Sequence, residues 1–122
     1  MRTLAKVRWN ERAVREFCGR FLSEPKPQVF FAPPPRPLAA AAFAGAARRR
    51  GLVLDGRSRL LFSGTMLYMN GEALAAPREA RALLRRLADA RALTAPLDAP
   101  AAFWTVVHDW YRRGWIAVGG ER

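Results

Sequence analysis

At 122 residues, 51% hydrophobic and 25% charged, the chain has the composition of a folded protein with one modest core rather than a disordered one. No apolar run reaches the roughly 20 residues of a membrane span, because the Ala-rich stretch from Leu38 to Ala47 stops at Arg48, Arg49 and Arg50, and no export signal follows the basic N-terminus. The net charge of +11 suits nucleic acid, an acidic protein or anionic lipid, yet it has a duller source too: only Lys6 and Lys26 among 21 basic residues are lysines, as codon drift in a GC-rich genome would give.

The first predicted element is a helix. Asn10 is an N-cap, Glu11 sits in the first turn, and Trp9 with Val14 forms a hydrophobic staple. Val14, Phe17, Cys18, Phe21 and Leu22 then recur at helical spacing, while Arg12, Arg15, Glu16 and Arg20 face water. Cys18, the only cysteine, reads as a small buried hydrophobe in a chain suited to a reducing cytoplasm.

From Pro25 to Pro37 run six of the nine prolines, which remove backbone donors and force an extended path. Val29, Phe30 and Phe31 in its middle mark it as a strap lying on a protein surface. Pro37 is expected to open a second helix through Arg50, with Gly51 as a left-handed cap. Leu52 to Leu54, Arg59 to Ser63 and Met66 to Met69, punctuated by Asp55-Gly56 and Asn70-Gly71, read as a meander of short strands.

A third helix follows Pro77. Its apolar stripe is Ala80, Leu83, Leu84, Leu87 and Ala88, and its wet face carries Arg78, Arg81, Arg85 and Arg86. After a loop from Thr94 to Pro100, a fourth helix puts Phe103, Val106, Val107, Trp110 and Tyr111 towards the core, and Gly114 ends it before a strand from Trp115 to Val118. The fold class is therefore α+β: an N-terminal helix and Pro-rich strap (residues 1–37), then a small sheet with three helices (residues 38–122) in an order compatible with a winged helix.

Catalytic chemistry is hard to find. A two-His, one-carboxylate iron site cannot be built within a chain whose only histidine is His108, and a zinc site would need a second chain. His108 and Asp109 are adjacent on a helix, so they point about 100 degrees apart and cannot act as one unit. Phe62 to Met66 lacks the glycine spacing and lysine of a phosphate loop. Trp104, Trp110, Tyr111 and Trp115 recur at core spacing rather than as a base-stacking row. The row Arg78, Arg81, Arg85 could line a phosphate backbone, although no Asn or Gln stands beside it to read base edges.

Trp9, the segment Phe17-Cys-Gly-Arg-Phe-Leu-Ser-Glu-Pro-Lys-Pro-Gln-Val-Phe-Phe31, Ser58-Arg-Leu-Leu-Phe62, Asn70-Gly71-Glu72 and Asp109-Trp-Tyr-Arg-Arg-Gly-Trp115 resemble the C-terminal half of bacterial JmjC-type (cupin) ribosomal oxygenases. In that family a cupin barrel binds Fe(II) and 2-oxoglutarate and hydroxylates an arginine of a ribosomal protein, followed by a dimerisation region and a winged helix. The resemblance implies a chain from which the barrel is missing. It implies no cofactor and no catalysis in this chain alone.

It further implies a homodimer through Val14, Phe17, Phe21 and Leu22, and a strap, Val29, Phe30 and Phe31, lying on the barrel. A ribosomal protein or the barrel is the implied partner. The alternative is a free-standing basic winged helix that binds RNA or DNA through Arg78, Arg81 and Arg85.

Overall fold

The computed structural model describes residues 16, 18–20, 22–24 and 30–120. Residues 16, 18–20, 22 and 23 are helical, and the predicted start of that helix at Trp9 and Asn10 lies outside the described residues. The order after the strap is α1 (Ala40–Arg50), β1 (Leu52–Leu54), β2 (Leu60–Ser63), β3 (Met66–Met69), β4 (Glu72–Ala75), a 3-10 turn (Arg78–Ala80), α2 (Arg81–Ala90), β5 (Ala92–Leu93), α3 (Ala101–Arg112) and β6 (Ile116–Val118). The α+β expectation holds.

Helix α1 opens at Ala40, not at Pro37; Ala39 takes the extended cap position and the prolines before it stay in the strap. Gly51 ends α1 with φ +84, as a glycine can, but its ψ of −171 turns the chain directly into β1 instead of through a left-handed turn. A side chain there would strike the Leu93 carbonyl.

The expected meander divides into two sheets. The first has the order β5-β1-β6, all antiparallel, with Leu52 opposite Leu93 and Val118, and Leu54 opposite Ile116. The second is the hairpin sheet β2-β3-β4, with Leu60 opposite Met69 and Leu67 opposite Leu74. Strands β4 and β5 were not anticipated, because Glu72-Ala-Leu-Ala75 and the two residues Ala92-Leu93 carry little β-propensity; pairing, not propensity, makes them strands. The turn between β3 and β4 is Asn70-Gly71, with φ +50 and +91, both positive as a tight hairpin turn requires.

A polar node joins the sheets. Ser58, buried, donates from Oγ to the Trp115 carbonyl at 2.8 Å and accepts from Asn70 Nδ2 at 3.3 Å; the Asn70 Oδ1 accepts the Arg59 N–H at 2.8 Å. Arg91, the left-handed cap of α2, donates to the carbonyls of Asp55 and Ser58 at 3.0 and 2.8 Å. With its partners supplied, the node avoids the cost of about 1–3 kcal/mol for each orphaned buried group.

The core lies between the sheets' inner faces and the three helices. Phe43 of α1 is fully buried, its ring 4.6 Å from Tyr111 and 6.3 Å from Trp104, and Leu84, Leu87, Phe103 and Val107 are fully buried in the same core. Each such side chain contributes about 1.5–3 kcal/mol through burial. Trp104, Trp110 and Tyr111 are buried as their spacing predicts. No helix among the described residues is long and apolar enough to cross a membrane.

Candidate partner-contact surface

The N-terminal helix presents a docked face and an exposed one, about 100 degrees apart around its axis. Gly19 and Ser23, one helical turn apart, are buried against the outer face of the hairpin sheet. A Cβ on Gly19 would sit 2.5 Å from the Tyr68 ring, so only glycine lets the helix approach this closely. Ser23 Oγ accepts the Gly71 N–H at 3.0 Å and donates to the Arg20 carbonyl at 3.3 Å. Tyr68 stands on the sheet's outer side, opposite Leu61 and Ala73, and would meet water without this helix; as it is, it is only 1% exposed.

Cys18 and Leu22 stand on the exposed side of the helix, Leu22 at 57% exposure. The expectation of a buried Cys18 is thus corrected: the small residues Gly19 and Ser23, which hydrophobic periodicity passes over, take the docked face. Of the residues expected to mediate dimerisation, Leu22 is exposed, and Val14, Phe17 and Phe21 lie outside the described residues.

The strap separates its aromatics. Phe30 is 76% exposed, and its carbonyl accepts from Arg57 Nη1 at 2.7 Å. Phe31 turns inward, edge-on to Trp115 at 6.2 Å, under the Arg57 guanidinium at 5.7 Å. Val29 lies outside the described residues. Arg57 also grips Asp55 in a fork of 3.0 and 3.2 Å; that hydrogen bonding first, and the carboxylate charge second, raise its already high pKa, so it stays charged at any physiological pH.

The arginine row does not present three free cations. Arg78 is exposed but belongs to the 3-10 turn ahead of α2. Arg81 folds back, half-buried, with Nη2 3.4 Å from the Ala76 carbonyl and a buried Nε that meets no acceptor among the described residues. Arg85 lies 4.6 Å over the Phe62 ring and donates to the Gly64 carbonyl at 3.3 Å, bracing the β2–β3 turn. Two of the three are therefore engaged within the fold, Arg81 just beyond β4 and Arg85 on the hairpin sheet.

His108 is a packing residue. Its Nε2 stands 2.9 Å from the Leu38 carbonyl and therefore carries the donated proton, and its ring packs 5.2 Å from Phe43 and 6.0 Å from Tyr111. Asp109 instead pairs with Arg113 at 3.3 Å. Among the described residues no three His, Cys, Asp or Glu side chains gather as metal ligands do. The described residues do not fit an Fe(II) site.

A family model described as ROXA-like winged helix matches residues 6–117. The chain belongs to the ROXA-like winged-helix family. Solved structures of the Escherichia coli ribosomal oxygenase YcfD are similar in fold. One is 24% identical with a TM-score of 0.75, covering 96% of this chain and 33% of that chain. Another is 26% identical with the same TM-score, covering 94% and 32%. A third, 24% identical with a TM-score of 0.76, is of YcfD in complex with cobalt and 2-oxoglutarate and covers 93% and 32%. This winged-helix chain spans about a third of the length of the YcfD chains it matches. No curated protein sequence matches it.

Proposed function

We propose that this winged-helix chain is the non-catalytic C-terminal module of a ribosomal-protein arginine hydroxylase-like oxygenase, serving dimerisation and contact with the substrate protein in the cytoplasm. Chemistry dependent on Fe(II) and 2-oxoglutarate would reside outside these 122 residues. The family match across residues 6–117 carries the reading.

The docked helix favours protein over nucleic acid as the partner. A sheet that reads nucleic acid needs a free face, and here Gly19 and Ser23 already cover the hairpin sheet. Leu22 and Phe30, exposed and apolar, suit protein contact: Leu22, which shares helical spacing in the sequence with Val14, Phe17 and Phe21, towards a second copy, and Phe30 towards a barrel.

A second reading, non-specific RNA or DNA binding, rests on cations such as Arg49, Arg50, Arg78 and Arg86, which hold no ion pair among the described residues. Light scattering of the chain with and without ribosomal RNA, at low and high salt, separates the two. A dimer whose mass ignores RNA at both salts is expected. A monomer that takes up RNA at low salt and releases it steeply as salt rises would overturn the reading in favour of phosphate contact.

A further inference from the structure

The strap does not lie flat on the sheet beneath it. At one end Ala32 and Pro33 press on Gly114, where a Cβ would come within 2.7 Å of the Ala32 carbonyl and 2.9 Å of the Pro33 nitrogen. At the other end the Leu38 N–H donates to the Tyr111 hydroxyl at 3.0 Å, and the Leu38 carbonyl accepts from His108 Nε2 at 2.9 Å. Between these ties stand Pro34, Pro35, Arg36 and Pro37. Proline fixes φ and has no N–H, so this span cannot add to the sheet as a strand and holds its shape as an arch.

Under the arch is a cleft of about 780 Å³. Its floor is the outer face of the β5-β1-β6 sheet, where Val53 and Ala117 sit opposite each other in register. Their neighbours Leu52, Leu54, Ile116 and Val118 are buried, whereas Val53 and Ala117 are only half-buried. Small floor residues and a stiff roof keep the space open. Its size falls within the range of roughly 300–1,000 Å³ typical of small-molecule sites.

The polar groups around the cleft are few: an arginine, a tyrosine hydroxyl and a carboxylate that another arginine already holds. Arg36 lines it with no hydrogen bond or ion pair among the described residues. Asp55, also at the edge, is held by Arg57. The Tyr111 oxygen accepts from Leu38, and its own proton goes to no acceptor among the described residues. An apolar bed with a cation and a spare hydroxyl donor matches an apolar molecule that ends in an acceptor anion.

We propose that this arched cleft binds a small apolar carboxylate, its body lying on Val53 and Ala117 beneath Pro34 and Pro35 and its carboxylate turned to Arg36 and the Tyr111 hydroxyl. The site belongs to the winged-helix module itself and stands or falls independently of which macromolecule the module contacts.

The test titrates the full chain with 4-phenylbutyrate, and separately with its neutral amide, following backbone amide shifts by NMR. Saturable shifts centred on Val53 and Ala117 are expected with the acid. Arg36→Gln, an exposed change on the arch, should leave the melting midpoint in place and weaken the acid about threefold to tenfold. Ala117→Phe, which fills the floor, should abolish binding. If Ala117→Phe fails to fold, Arg36→Gln and the amide still decide. Shifts that do not saturate, shifts centred elsewhere, or an amide that binds as tightly as the acid would overturn the proposal.

Discussion

The two three-stranded sheets are built alike and finished differently. Each turns one face to the core: Leu52, Leu54, Leu93, Ile116 and Val118 in one, Leu60, Leu67 and Met69 in the other. On its outer face the hairpin sheet carries a large residue, Tyr68, and a helix with glycine at the contact closes over it. The β5-β1-β6 sheet carries Val53, Ala92 and Ala117, and a proline arch stands off it. Whether an outer face becomes interior or cleft depends on whether its cover can approach. A helix with Gly19 can; a proline span cannot.

Substitutions on the two outer faces sharpen this contrast. Tyr68→Ala should be the most costly, about 3–5 kcal/mol by denaturant unfolding, because it empties a sealed contact. Val53→Ala, the corresponding change over the cleft, should cost about 0.5–1 kcal/mol, and equal costs would erase the distinction.

Gly114→Ala comes next: with φ at +82 and the Ala32 carbonyl 2.7 Å from the new Cβ, it should destabilise by about 1–3 kcal/mol. It should also release Phe31 from Trp115, seen as a change in tryptophan emission, and leave Gly19 and Tyr68 in contact. Ser23→Ala removes the acceptor of the Gly71 N–H and should cost about 1 kcal/mol in melting experiments. Arg85→Ala should be as mild as Val53→Ala, about 0.5–1 kcal/mol, from lost stacking of an exposed arginine on the half-buried Phe62.

Much of the fold could be read from the sequence. Helical periodicity located α2 and α3, glycines marked the ends of α1 and α3, and Asn70-Gly71 gave the hairpin turn, because each of these signals is local. The division of the strands into two sheets could not be read, since pairing of Leu52 with Leu93 and Val118 is non-local and leaves no trace in either segment. The placement of Cys18 failed for a related reason: apolarity identifies a face that prefers burial, and Gly19 and Ser23 were selected by closeness instead.

The contact surface was legible only in part. The strap aromatics stand out in the sequence as one apolar group, whereas in the structure Phe30 is exposed and Phe31 rests on Trp115. The spacing of Arg78, Arg81 and Arg85 was visible, whereas the turning of Arg81 onto the Ala76 carbonyl and of Arg85 onto Phe62 depends on the hairpin beside them. The cleft had no signature beyond the prolines, because it is made by their distance from a sheet that begins fifteen residues later.

The docked helix is the contact on which the preference for a protein partner depends, and hydrogen exchange at the Gly71 amide tests it most directly. With Ser23 Oγ as its acceptor, that amide should exchange slowly in the intact chain and much faster in Gly19→Val, where the helix cannot approach Tyr68. Exchange in the intact chain as fast as that of an exposed turn amide would contradict the account, and would leave the hairpin sheet free for nucleic acid.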